Sequence, residues 1–205
     1  MGVIVLADIV DLLNLNLARV QNLISIYGPP RQGRRSVQET DVLRAALVML
    51  HASMEDFLRS LLKWRVPALG AKELIDTYPL PGSGHKQARN FLLGSLVAHK
   101  GKTVDQLIEA AAKEYLDEYA SFNDLGEVKR ALTNCGLNGA AVENHGYGEL
   151  PAMIARRHKI VHHADRNEVQ GGQGNHRTAS IGTRELNNYV AAVQSLRDFV
   201  QAQLG

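Results

Sequence analysis

The sequence predicts an all-α protein with a helical-bundle architecture, on three observations. Apolar residues recur every three or four positions through several long stretches, the spacing of a single helix face. No run of useful length alternates apolar and polar residues as a strand does, and no internal repeat is present. Clusters of glycine and proline separate the periodic stretches, as connections between helices require. A length of 205 residues suits one domain. It divides into an N-terminal helix over 1–27, a basic loop over 28–39 and a main bundle over 40–205. Apolar residues make up 45% of the chain, enough to bury a core, and charged residues 21%, the balance of an ordinary globular protein.

The elements follow in order. Leu6, Ile9, Leu13, Leu17, Val20, Ile24 and Tyr27 describe the first helix, which Gly28-Pro29-Pro30 stops. Arg31-Gln32-Gly33-Arg34-Arg35-Ser36 reads as a solvated basic linker, with an RNA-contacting arm as the functional alternative. Thr40-Asp41 opens the longest helix, whose stripe Leu43, Leu47, Leu50, Met54, Phe57 and Leu61 closes at Trp64 before Pro67. His51 and Glu55 are four apart on it and can face each other. Residues 66–84 form an irregular connection around a short helix at 71–77, and a further helix is expected at 85–99, ended by Gly101.

Thr103 is placed to cap a helix over 104–119, with Leu107, Ala111, Tyr115 and Leu116 inward and an acidic face to solvent. A short helix spans 125–134, and 138–148 reads as a loop carrying an exposed His145. A helix over 151–164 begins with Pro151, the end of a helix at which proline is tolerated. The density of glycine in Gly171-Gly172-Gln173-Gly174 predicts an irregular loop. Leu186, Tyr189, Val190, Val193, Leu196, Val200 and Leu204 close the chain with a helix.

Charge and cysteine content narrow the function classes. The net charge of +2 does not by itself indicate a nucleic-acid partner, but its distribution is uneven. Residues 156–166 hold four Lys/Arg against one Asp, residues 31–35 hold three arginines, and 105–118 is acidic. A phosphate backbone is drawn to the first two stretches and repelled by the third. The single cysteine, Cys135, rules out an intrachain disulfide and suits a reducing compartment. It reads as a buried thiol more readily than as a nucleophile, since it sits among apolar neighbours at an apparent helix end. The apolar N-terminus is interrupted too often by Asp8, Asp11, Asn14, Asn16 and Arg19 to span a membrane, so a cytoplasmic location is expected.

The richest chemistry lies in Arg156-Arg157-His158-Lys159-Ile160-Val161-His162-His163-Ala164-Asp165, with three imidazoles, three permanent cations and one carboxylate. Histidine exchanges protons near neutral pH, and arginine grips phosphate with a planar fork of donors. At about 100° per residue, His158, His162 and Asp165 fall on one helix face, whereas Arg157 and His162 stand roughly 140° apart. A joint Arg157–His162 site therefore needs the helix to bend or end, or a second subunit to complete it.

Arg157, the polar His158, three further residues and then His162 resemble the arginine–polar–three–histidine signature of the HEPN superfamily. Looser registers of that signature also fit Arg156–His162, Arg156–His163 and Arg157–His163. The stretch 43–59, with its embedded acidic residue, is similar to the long early helix of these domains, and Phe122-Asn123 followed by a short helix ending at Cys135-Gly136-Leu137 is similar to their middle. The resemblance runs from about residue 40 to the C-terminus. It implies an all-helical, metal-independent endoribonuclease without a cofactor, found among toxins and phage-defence effectors, acting on RNA as a homodimer and sometimes held by an antitoxin or other regulatory partner. His162 is then the catalytic histidine and Arg157 the phosphate-binding arginine. His158, Arg156, Lys159 and His163 are supporting residues. Glu55 either orients a site arginine or histidine, as the family's helix acid does, or is an acid at the edge of the core. Family members often carry asparagine or aspartate where His158 stands here. Two other classes stay open: a non-catalytic RNA- or partner-binding module, and a metal-dependent hydrolase using His158, His162 and Asp165 as ligands.

Overall fold

A computed structural model describes residues 5–28, 37–83, 92–143, 147–166 and 178–205. All regular structure among them is helical: α1 (Leu6–Ile26), α2 (Val37–Leu69), α3 (Lys72–Ile75), α4 (Val104–Tyr119), α5 (Leu125–Asn134), α6 (Glu149–His163) and α7 (Thr183–Leu204), with 3-10 segments at Leu93–His99 and Gly139–Glu143. The protein is an all-α helical bundle. No helix among the described residues is long and apolar enough to cross a membrane.

The longest helix, α2, is the spine. It packs against α1 most extensively and also against α4, α5, α6 and α7. Its stripe is fully enclosed at Leu43, Leu47, Leu50, Met54, Leu58 and Leu61. Burying a side chain of this size stabilises the fold by about 1.5–3 kcal/mol, so this one face anchors every helix laid on it. The helix runs past both expected ends. It begins at Val37, inside what reads as the basic loop, and continues through Pro67 to Leu69. Proline removes only one donor so near a C-terminus. The stop is Gly70, whose left-handed backbone (φ +59°) a residue with a Cβ adopts at a cost.

Two other connections differ from expectation. In place of an α-helix over 85–99, the described part is a 3-10 segment with Leu92, Leu93 and Val97 exposed, and 84–91 lie outside the described residues. The 138–148 loop contains the 3-10 turn Gly139–Glu143, which buries Val142. Gly139 permits its close approach to α5, because a Cβ there would overlap the Lys129 carbonyl oxygen.

The remaining elements form where the residues place them. Thr103 Oγ1 accepts from Gln106 N at 3.2 Å while Thr103 N donates to Gln106 Oε1 at 3.0 Å, a reciprocal cap on α4. Ala112 and Leu116 are its fully buried residues, with Leu107, Ala111 and Tyr115 partly enclosed. Asp124 caps α5 by accepting from Glu127 N at 2.8 Å. Cys135 is buried just beyond α5, and burial pushes its thiol up to about 12, which keeps it protonated and unreactive at neutral pH.

Candidate functional site

Helix α6 carries the candidate residues, and its buried face sets their direction. Leu150, Met153 and Ile154 are enclosed against α2 and α7. That rotation leaves Ala155, His158, Lys159, His162 and His163 exposed and puts Arg156 and Arg157 half-buried on the flanks. The helix is continuous from Glu149 to His163, so it does not bend to bring Arg157 round to His162.

The two arginines have different surroundings. Arg156 Nη2 donates to Asp165 Oδ2 at 2.9 Å, to the Ser180 carbonyl at 2.9 Å and to the Ala179 carbonyl at 3.2 Å. Asp165 is fully buried and its Oδ2 also accepts from Arg44 Nε at 2.8 Å. Arg44 in turn donates to the Ala179 carbonyl at 2.7 Å and to Thr40 Oγ1 at 2.7 Å. Arg44, Asp165 and Arg156 thus form one charged cluster between the start of α2, the end of α6 and the segment before α7.

This placement corrects the expected His158–His162–Asp165 face. The helix ends at His163, and Ala164 (φ +48°) and Asp165 (φ +53°) are both left-handed, which swings the carboxylate inward. Consecutive non-glycine residues in that region cost about 1–2 kcal/mol each, and the two arginines hold the conformation. Asp165 N donates to the Lys159 carbonyl at 3.0 Å, and Ala179 N donates to the Asp165 carbonyl at 2.8 Å. Among the described residues, no group of three or more His, Cys, Asp or Glu side chains is placed to hold a metal ion.

Arg157 turns the other way, toward α2 and the segment before α5. Its Nη1 donates to Asn123 Oδ1 at 3.3 Å, and its buried Nε has no partner among the described residues. Near it lies His51, fully enclosed, with neither ring nitrogen in a hydrogen bond of normal geometry among the described residues. The nearest acid is Glu55, whose Oε2 stands 3.8 Å from His51 Nδ1 and whose Oε1 accepts from Phe122 N at 3.3 Å. Burial holds the His51 imidazole below the usual histidine range. Glu55 opposes that shift, the Arg157 charge adds to it, and the Phe122 backbone opposes it more weakly. Glu55 thus adjoins His51 and the Phe122 amide, and no direct contact joins it to His162.

The histidines gather at the exposed end of α6. The His158 ring lies 4.5 Å from the His162 ring and 5.9 Å from the His163 ring, centroid to centroid. His158, Lys159 and His163 border a groove of about 430 Å³ that opens toward Asn123. Asn123 and His51 are the two residues whose part in this arrangement spacing along the chain does not reveal. Asn123 is 34 positions from Arg157, and only its place in the Phe122-Asn123 pair marks it in the sequence. The basic stretch with Arg31, Arg34 and Arg35, the residue His145 and the 171–174 glycines lie outside the described residues.

Comparison with protein-family models, with curated proteins and with solved structures finds no match to the chain.

Proposed function

We propose that the chain is a metal-independent endoribonuclease of the HEPN kind, cytoplasmic and acting as a homodimer, in the manner of a toxin or phage-defence effector. The observation that carries this reading is the contrast between the arginines. Arg156 is spent on Asp165 and two carbonyls, whereas Arg157 makes one long hydrogen bond to Asn123 and keeps donors for a phosphate. On the exposed side of the same helix, the His158 ring lies within contact distance of both the His162 and the His163 ring.

In the proposed reaction His162 takes the proton of a ribose 2′-hydroxyl, and the 2′-oxygen attacks the adjacent phosphorus. The P–O5′ bond breaks, the leaving 5′-oxygen takes a proton from a second acid, and a 2′,3′-cyclic phosphate remains. Arg157 stabilises the charge on the phosphorane. His158 is the neighbouring imidazole that supplies or relays the second proton, with His163 and Lys159 supporting it electrostatically. The requirement for a 2′-hydroxyl limits the substrate to RNA. Because Arg157 and His162 leave α6 in different directions, the proposal pairs the Arg157 of one chain with the His162 of a second across closely set α6 helices.

The lack of an Arg157–His162 contact within one chain also favours a second reading, a non-catalytic module that docks RNA or a protein partner on the basic end of α6. Incubation of the purified protein with labelled RNA separates the two: cleavage into cyclic-phosphate fragments supports the enzyme, and binding without cleavage supports the module.

A further inference from the structure

The groove between α6 and the start of α5 has a composition that the cleavage chemistry does not use. Leu125, Pro151, Ile154 and Ala155 form its apolar part, while Asn123, Asp124, Lys159, His158 and His163 border it. Its volume of about 430 Å³ lies within the range of small-ligand sites. An apolar surface bordered by an amide, a carboxylate, a lysine and two imidazoles matches a flat ring with polar edge groups, joined to a phosphate at one side.

Asn123 adds a directional group. A guanidinium only donates, so the side-chain oxygen of Asn123 faces Arg157 Nη1 at 3.3 Å. Asn123 also lines the groove. The same residue therefore adjoins both the proposed phosphate-binding arginine and the groove.

We infer that this groove is a nucleobase subsite, which takes one unpaired base of an RNA strand next to the phosphate held at Arg157. The base lies on Pro151, Ile154 and Ala155 and presents its polar edge to Asn123 and Asp124. A base inside a duplex cannot reach such a surface, so the substrate is a single-stranded loop or end. The inference rests on the endoribonuclease reading for the position of the phosphate, but its test does not depend on cleavage.

The probes are a uniformly 2′-O-methylated RNA hexamer, which lacks the attacking hydroxyl, and a set of the same hexamer with one abasic nucleotide at each position. Binding is followed by fluorescence anisotropy. With the wild-type protein, one abasic position should weaken binding by roughly tenfold, for the loss of one buried ring face and one hydrogen bond. Ala155→Trp fills the groove from an exposed helix position. This variant, checked for wild-type melting temperature and oligomeric state, should bind the intact hexamer as weakly as that abasic probe and lose the positional effect. Equal affinity for all abasic probes, no binding of the hexamer, or an Ala155→Trp variant that keeps the positional effect overturns the subsite. A hexamer bound with the positional effect, while unmodified RNA of that sequence stays intact, leaves the subsite standing and removes the nuclease reading.

Discussion

Arg44 Nε donates to Asp165 Oδ2 at 2.8 Å, joining residues 121 positions apart and closing the buried end of α6 onto the start of α2. The contact explains how a helix can end in two left-handed non-glycine residues directly beyond its histidines. Removing the carboxylate charge leaves two arginines facing each other in a largely dry setting. Asp165→Asn preserves the shape and tolerates the left-handed backbone, so it isolates the charge. It should destabilise the protein by about 3 kcal/mol, measured as a shift of the urea midpoint. A change below about 0.5 kcal/mol, the range of ordinary surface substitutions, would show that the cluster does not hold the end of α6.

The two adjacent arginines should separate stability from activity. Arg156→Ala removes bonds to Asp165, Ala179 and Ser180 and should lower the melting temperature. Arg157→Ala removes one long bond to Asn123 and should leave the melting temperature nearly unchanged while abolishing RNA cleavage. Arg157→Lys should restore only part of the rate, because a point charge cannot reproduce a planar fork. Melting curves and single-turnover cleavage of the three variants provide the check. Full cleavage by Arg157→Ala would assign the site arginine wrongly.

Much of this was legible in the chain. The 3.6-residue stripes marked α1, α2, α4 and α7, Thr103 marked the start of α4, and Pro151 marked the first turn of α6, because local patterning decides those elements. The extension of α2 through Pro67 was not legible, since packing against the surrounding helices outweighs one missing donor near a helix end. Helical spacing placed Asp165 with His158 and His162, but it cannot foresee that a helix stops two residues earlier under the pull of Arg44 and Arg156. Nor can it bring Asn123, His51 and Arg157 together, because three separate segments meet there. The wealth of histidine and arginine in 156–163 was visible from composition alone, whereas the different commitments of Arg156 and Arg157 required the fold.

His51 gives a pH dependence with a definite sign. Its imidazole titrates below the ordinary value of 6.5 in the folded protein, first because it is buried and further because Arg157 is near, with Glu55 and the Phe122 backbone opposing. The unfolded chain therefore binds a proton that the folded chain refuses in the interval just below 6.5. Stability from this group is complete above that value and falls as the pH drops through the interval toward the folded value. His51→Leu, which also removes two unpartnered ring nitrogens, should flatten this part of the acid limb. Urea midpoints at pH 5 and pH 7.5 test it. An unchanged difference between the two pH values in the variant would mean that His51 does not contribute.

The proposed dimer predicts complementation. Arg157→Ala and His162→Ala homodimers should each be inactive, since every composite site lacks one member. Mixing the two variants should restore sites that combine an intact Arg157 from one chain with an intact His162 from the other. Sedimentation should report a dimer at micromolar concentration. A fully active monomer, or mixed variants that stay inactive although they exchange subunits, would contradict the pairing across chains.

The central claim, metal-independent cleavage of RNA by the α6 arginine and histidine, is tested most directly with end-labelled single-stranded RNA in excess EDTA. Wild-type protein should cut it and leave 2′,3′-cyclic phosphate or 3′-phosphate ends, and DNA of the same sequence should remain whole. His162→Ala should lose roughly a hundredfold to ten-thousandfold in rate at unchanged helical content, while His163→Ala should lose far less. Activity that disappears in EDTA and returns with zinc or manganese, or no cleavage by wild-type protein that binds the RNA, would contradict the account.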